Sequence, residues 1–98
     1  MWARISTYEG SPDSIDESVT YARETILPKA RQLAGYRGIY LVADRQTGKS
    51  LSITLWDRED DLRASEAEAD RLREDASDHV GDTIAGVERF EVVLHEFT

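Results

Sequence analysis

The sequence predicts an α+β fold, a four-stranded antiparallel sheet built in the ferredoxin-like order βαββαβ. Three observations predict it. The segment from Gly35 to Asp57 reads as a complete β-hairpin, entered from a helix stop and left through a helix start. Two apolar stripes at helical spacing flank that hairpin. Short runs of strand-forming residues close the chain at either end.

Trp2 to Tyr8 reads as the first strand, and Glu9-Gly-Ser-Pro-Asp13 as the turn after it. Ser14 stands three residues before Glu17, the spacing of a capping box, and Ser11 before Pro12 is a competing start. Ile15, Val19, Ala22, Ile26, Ala30 and Leu33 then follow at steps of three or four, one stripe of a helix. Pro28 lies within it, lacks a backbone donor and crowds the Glu24 carbonyl, so a kink or break is expected. Gly35 is a suitable stop.

Ile39 to Asp44 reads as the second strand and Leu51 to Trp56 as the third. Gln46-Thr47-Gly48 joins them, with Gly48 suited to the left-handed conformation of a bulged hairpin loop. Asp57 is a candidate cap for the next helix, with Asp60 as an acidic stand-in for the box residue. That helix carries Leu62, Ala69, Leu72 and Ala76 inward and is expected to end near Gly81. Asp82 to Gly86 reads as loop, and Val87 to Phe97 as a long last strand.

Both faces of this sheet carry apolar residues. Ile39 and Leu41 alternate with Tyr40 and Val42, and Phe90, Val92 and Leu94 with Val93 and Phe97. Two crossover helices cover one face only. The simplest cover for the other is a second copy of the sheet, so a homodimer through sheet faces is expected.

The 98 residues are expected to form one domain, 1–98. A chain of this length buries only about 60–65% of its unfolded surface, which also favours association. It has no cysteine, so no disulfide or thiolate metal site can help, and a cytoplasmic location is expected. Twenty acidic against 12 basic residues give a net charge of −8. That balance disfavours nucleic acid and anionic lipid as partners. No apolar run is long enough to span a bilayer, and Met1-Trp-Ala-Arg-Ile5 lacks the order of a signal peptide.

The Gly35-Tyr36-Arg37-Gly38 helix exit, the Asp44-Arg45-Gln46-Thr47-Gly48-Lys49 hairpin and the Leu55-Trp56 strand end before an acidic helix resemble the antibiotic biosynthesis monooxygenase (ABM) superfamily. So does the closing Val87-Glu-Arg-Phe-Glu-Val-Val-Leu94 segment. The resemblance covers almost the whole chain and implies a dimeric α/β barrel. It implies relatives of several chemistries: cofactor-free monooxygenases of aromatic polyketides, haem-degrading enzymes and isomerases. The haem-degrading pattern has an asparagine on the first strand and a tryptophan and a histidine on the second helix. Here Ser6, Ser65 and Glu74 fall at or near those positions, which argues against haem degradation. The aromatic monooxygenases are implied to need no metal or flavin, only a pocket with aromatic walls and donors that holds a phenol or dihydroquinone as its reactive anion. Their Asn-Trp-Tyr set is not reproduced, and the chain contains no asparagine.

Candidate site residues follow from residue type and position. Trp56 walls a pocket or packs at the rim of a dimer core, and Tyr8 and Tyr40 place hydroxyls in a pocket or at an interface. Arg4, in step with Trp2, Ser6 and Tyr8, must find a carboxylate or a bound anion if both faces are covered. It either anchors a ligand or pairs with a neighbouring strand at Glu91. His79, at the end of the second helix, is a general base or an exposed helix-end residue. The acidic run from Glu59 to Asp78 is interspersed with Arg58, Arg63, Arg71 and Arg73, such as Glu59 to Arg63 at i,i+4. It reads as a self-paired, solvated face rather than a metal site. Gly48-Lys49-Ser50 joins two strands, not a strand and a helix, and is no phosphate loop.

The expected function is a cofactor-independent monooxygenase acting on a small aromatic or polyketide-like molecule in an apolar pocket, with catalytic His79 and Arg4 and with Tyr40, Trp56, Ser6 and Tyr8 against the substrate. No metal or other cofactor is called for. The alternative is a non-catalytic dimer that binds a hydrophobic metabolite or serves as a scaffold.

Overall fold

β1 (Trp2–Glu9) is an inner strand, hydrogen-bonded on both sides in the computed structural model, which describes residues 1–98. It pairs antiparallel with β3 (Ser50–Trp56) and with β4 (Thr83–Glu91). β2 (Tyr36–Ala43) completes the hairpin with β3, and the sheet order is β2-β3-β1-β4. This is the expected ferredoxin-like sheet, antiparallel throughout.

The first helical segment runs from Pro12 to Ala30 without a break, and where a kink or break is expected near Pro28 it carries a π turn. A 3-10 turn, Pro12–Ser14, leads into α1 (Ile15–Tyr21), a π turn over Ala22–Ile26, and α2 (Leu27–Ala30). Ser11, not Ser14, supplies the capping oxygen, accepting from the Asp13 amide. The widened turn sits just before Pro28, and the Leu27 amide reaches back five residues to the Ala22 carbonyl. A π turn re-spaces the carbonyls where a missing donor and a crowding ring would otherwise break the ladder.

The hairpin behaves as its residues require. The Asp44 carboxylate accepts from the amides of Gln46 (2.8 Å) and Thr47 (3.3 Å), and Gly48 has φ +83°. A Cβ at Gly48 would also collide with the Gly10 carbonyl.

The second helical segment differs from its expectation in two ways. Asp57 does not cap it: Asp57 pairs with Arg37 (3.1 Å), and the extended Arg58 precedes α3 (Glu59–Ala64) with no side-chain cap. Nor is the helix continuous. It interrupts at Ser65 and resumes as α4 (Glu66–Val80), which ends at left-handed Gly81 (φ 79°), as expected. The Leu62 carbonyl at the interruption accepts from Ser65 Oγ (2.7 Å) and from Arg4 Nη2 (2.7 Å) on β1.

β4 corrects the longest error in the sequence reading. It starts at Thr83, in the stretch expected to be loop, and ends at Glu91, well before Phe97. A bulge between Thr7 and Tyr8 lets Ile84 and Thr83 pair with Tyr8 and Glu9. At the other end Trp2 opposite Glu91 is the last pair, and one bond from the Val92 amide to the Met1 carbonyl (2.9 Å) closes the ladder. Beyond that bond the segment is unpaired, and Val93, Leu94 and Phe97 stand exposed.

Strand alternation divides the sheet into two faces. Arg4, Ser6, Tyr8, Ser52, Thr54 and Trp56 face the helices, and Leu62 and Trp56 are the largest fully buried side chains. By register, Ile5, Ile53, Leu55, Tyr40, Val42 and Phe90 share the outer face. Nothing in this chain covers it: Tyr40, Val42 and Phe90 are each more than two-fifths exposed. No helix is long and apolar enough to cross a membrane.

Leu62 has no solvent exposure, so Leu62→Ala leaves a cavity under the α3–α4 junction. The expected loss is about 2–5 kcal/mol in the free energy of unfolding, measured by urea titration. A loss below about 1 kcal/mol would contradict this packing.

Candidate functional site

A cavity of about 130 Å³ lies between the helix-facing side of the sheet and the helices. Hydrophobic residues make up 14 of its 23 lining residues, so its wall is mostly apolar. β1 contributes Arg4, Ser6 and Tyr8, β3 contributes Ser50, Ser52, Thr54 and Trp56, and β2 contributes Tyr36, Ile39 and Leu41. Tyr21, Ala22, Ile26 and Ala30 close it from the first helical segment, with Ala69, Leu72, Arg73, Ala76 and Ser77 from α4. Leu41 both lines the cavity and is substantially exposed, so it marks an open side.

Arg4 stands at the Trp56 end. Arg4 is 2% exposed, and its three oxygen partners all lie on Nη2: the Leu62 carbonyl (2.7 Å), Ser65 Oγ (3.0 Å) and the Glu66 carboxylate (3.0 Å). Its Nε is buried without a partner. Its guanidinium also stands over Trp56, 5.4 Å from the ring centroid, a cation–π distance. Trp56 donates from Nε1 to Thr54 Oγ1 (3.0 Å) and meets Tyr36 edge-on at 5.7 Å. The carboxylate that Arg4 needed is therefore Glu66 on α4, not Glu91 on the adjoining strand.

Glu66 serves two arginines. Arg89 on β4 grips it with both Nε (2.9 Å, to Oε1) and Nη2 (2.6 Å, to Oε2), while Arg4 Nη2 shares Oε1 (3.0 Å). Hydrogen bonding from Arg89 holds the Glu66 carboxyl at about 2, far below its ordinary 4.5, with Arg4 adding to the effect against the opposing pull of burial. For Arg4, desolvation by burial lowers the pKa more than Glu66 restores it.

Arg73 is the main cavity-lining side chain that the sequence reading missed. It was counted with the solvated arginines of the acidic helix. It is buried, lines the cavity, and donates from Nε to Ser6 Oγ (3.1 Å) and from Nη1 to Asp70 (2.6 Å). The signal was in its spacing: Ala69, Arg73, Ala76 and Val80 all line the cavity, at steps of four, three and four. Tyr21, Tyr36 and Asp82 were missed too. Burial pushes up the pKa of Tyr36 and of Asp82, which lies at the opposite, Tyr8 end.

Two expected site residues lie elsewhere. Tyr40 points to the outer face, because it pairs with Ile53 and has the opposite strand parity to Ile39 and Leu41. His79 is outside the cavity, stacked on Tyr21 at 4.4 Å between centroids and 3.5 Å from Glu17, with half its side chain exposed. The remaining four, Arg4, Ser6, Tyr8 and Trp56, do share the cavity. The acidic residues of α3 and α4 pair with neighbouring arginines, Glu59 with Arg63 (2.7 Å) and Glu68 with Arg71 (2.7 Å). No three metal-ligating side chains converge.

No protein-family model matches the chain. Two uncharacterized proteins of Mycobacterium tuberculosis are similar to it, Rv2557 at 26% identity over 92 residues and Rv2558 at 29% over 77 residues. The matches take in 94% and 79% of this chain, which spans only 41% and 33% of those relatives. Solved structures resemble it over nearly its whole length. One is a monooxygenase from the Streptomyces coelicolor gene ActVA-Orf6, in complex with nanaomycin D (TM-score 0.74, 14% identity, 99% of this chain and 91% of that one). Another is SnoaB, a cofactor-independent oxygenase of Streptomyces nogalater (TM-score 0.66, 13% identity, 96% and 94%). A third is an antibiotic biosynthesis monooxygenase (TM-score 0.65, 21% identity, 96% and 100%). The chain has the ABM fold.

The Glu66 cluster has a pH signature. A carboxyl whose folded pKa is depressed to about 2 from 4.5 stabilises the fold above pH 4.5, and that contribution is lost as pH falls through about 2. Glu66→Gln should flatten this acid limb between pH 4.5 and 2 and cost on the order of 1 kcal/mol at pH 7. Unfolding free energies measured across that range test it, and an unchanged limb would contradict the assignment.

Proposed function

We propose that this chain of ABM fold works as a homodimer and a cofactor-independent monooxygenase, holding a small aromatic or polyketide-like substrate in the cavity between β1, β3 and the helices. The observation that carries the reading is the cavity wall, mostly apolar, with the rings of Tyr8, Tyr21, Tyr36 and Trp56 and the guanidiniums of Arg4 and Arg73. Its volume suits about one aromatic ring, the scale at which a buried apolar cavity takes up benzene. A fused-ring substrate would seat a terminal ring inside and extend past Leu41. The likeness to an oxygenase described as cofactor-independent supports the same reading.

The chemistry asks for little beyond such a wall. An anthrone-type methylene beside a phenol loses a proton, and the resulting anion adds dioxygen directly. A C–O bond forms, the O–O bond breaks, water leaves, and the methylene carbon becomes a carbonyl. Dioxygen is the only oxidant. The protein's part is to bind the ring, exclude water and lower the energy of the anion. Arg4 provides positive charge beside Trp56, and Arg73 beside Ser6. Asp82, whose raised pKa brings it closer to neutrality, is the carboxyl in the wall that can take a proton.

A binding function without catalysis is the second reading, and one observation favours it. No imidazole lines the cavity, since His79 is held outside by Tyr21. Homodimerisation is supported by the uncovered outer face, where Tyr40, Val42 and Phe90 remain exposed. We take residues 1–98 as one functional domain.

Oxygen-electrode measurements with anthrone and fused-ring hydroquinones should show uptake on the order of 100-fold above the uncatalysed rate. Trp56→Ala should remove most of it. No uptake, with the same compounds bound in the cavity, would leave the binding function. Sedimentation equilibrium at micromolar concentration should give a dimer, and Ile53→Lys on the outer face a monomer. A wild-type monomer would overturn the two-sheet arrangement.

A further inference from the structure

We infer that Arg4 and Arg73 form an anion-recognising end of the cavity, and that the ligand taken up there is a ring-bearing carboxylate. This rests on the reading of the cavity as a ligand site and names the chemistry that the site selects.

The chain is strongly acidic, with a net charge of −8, yet two guanidiniums line this cavity. Both are buried, and on the cavity wall Ser6 accepts from Arg73. Burying guanidiniums costs free energy unless they are paired and fully hydrogen-bonded. Their protein partners fall short in two ways. Arg4, Arg73 and Arg89 share two carboxylates, Glu66 and Asp70, which leaves the cluster one negative charge short. The Arg4 donors are also unevenly used: Nη2 takes the Leu62 carbonyl, Ser65 Oγ and Glu66, while Nε is buried and unpartnered.

One singly charged oxyanion at this end restores the balance. A carboxylate matches a guanidinium because both are planar and offer parallel hydrogen bonds. The apolar wall and the rings of Trp56 and Tyr36 beside Arg4 then receive the body of the ligand. A neutral molecule of the same shape fills the apolar part and leaves the charge imbalance in place, so discrimination against it is built into the site.

Benzoate and benzamide are probes that differ little except in charge. Titrated into the intact protein at pH 7 and followed by amide chemical shifts, benzoate should bind at least tenfold more tightly than benzamide. Shifts are expected at Ser6, Trp56 and Arg73. Arg73→Gln should reduce the preference to less than about threefold, with its fold checked by circular dichroism. Arg73→Lys, which keeps the charge but not the planar fork, should retain part of it. Equal binding of the two probes, or tighter binding of benzamide, overturns the inference and leaves the cavity as a ligand site. Failure of both to bind overturns the ligand-site reading and the inference with it. An undiminished preference in Arg73→Gln removes Arg73 from the site.

Discussion

The buried guanidinium of Arg4 is the interaction on which the helices, the sheet and the cavity all depend. It stands on an inner strand, under the junction where the second helical segment is interrupted. Through Nη2 it ties together the Leu62 carbonyl, the Ser65 hydroxyl and the Glu66 carboxylate, three groups of that junction. Glu66 in turn reaches Arg89 on β4, so one carboxylate links a helix to two adjacent strands. A buried ion pair of this kind contributes little net stability, because desolvation offsets attraction. What it supplies is position. With Leu62 packed beneath the junction, α4 is held where Arg73 and Leu72 can face the sheet.

The cavity follows from that placement. Helices packed directly on a sheet fill the space between with large side chains. Here the facing positions are small: Ser6, Ser52 and Thr54 on the strands, and Ala22, Ala30, Ala69 and Ala76 on the helices. Large rings stand at the ends and edges instead. Small residues in the middle and aromatic ones around them leave a space the size of a ring. The same economy leaves the outer face unfinished. The side chains there are larger and more apolar, and the last segment, with Val93, Leu94 and Phe97, runs beyond the end of its own sheet.

Period-two and period-3.6 patterns made most of the architecture legible. The hairpin was readable to its loop residue because Gly48 must be left-handed and the Asp44 side chain can organise the turn. Strand parity correctly put Ile39 and Leu41 on the side opposite Tyr40, but parity alone does not say which side holds the cavity. That is why Tyr40 was expected to wall it. The extent of β4 is set by where its pairing with β1 stops, a non-local fact, so the apolar run to Phe97 read as strand. The Ser65 interruption has its partner 61 residues away in sequence, at Arg4, and leaves no local mark. Arg73 was obscured by composition. On a helix so rich in charge, its position in the inward stripe was outweighed by the salt-bridge spacing to Asp70, which is real but reaches only one end of the guanidinium.

The central claim is that the space between Arg4, Trp56 and α4 is where this protein receives its ligand. Intermolecular nuclear Overhauser effects between a bound aromatic ring and methyl groups of the protein test it most directly. The predicted contacts are to the methyls of Ala22, Leu72 and Ala76, which line the cavity. Contacts instead to Ile5, Ile53 and Leu55, which share the outer face, would contradict it.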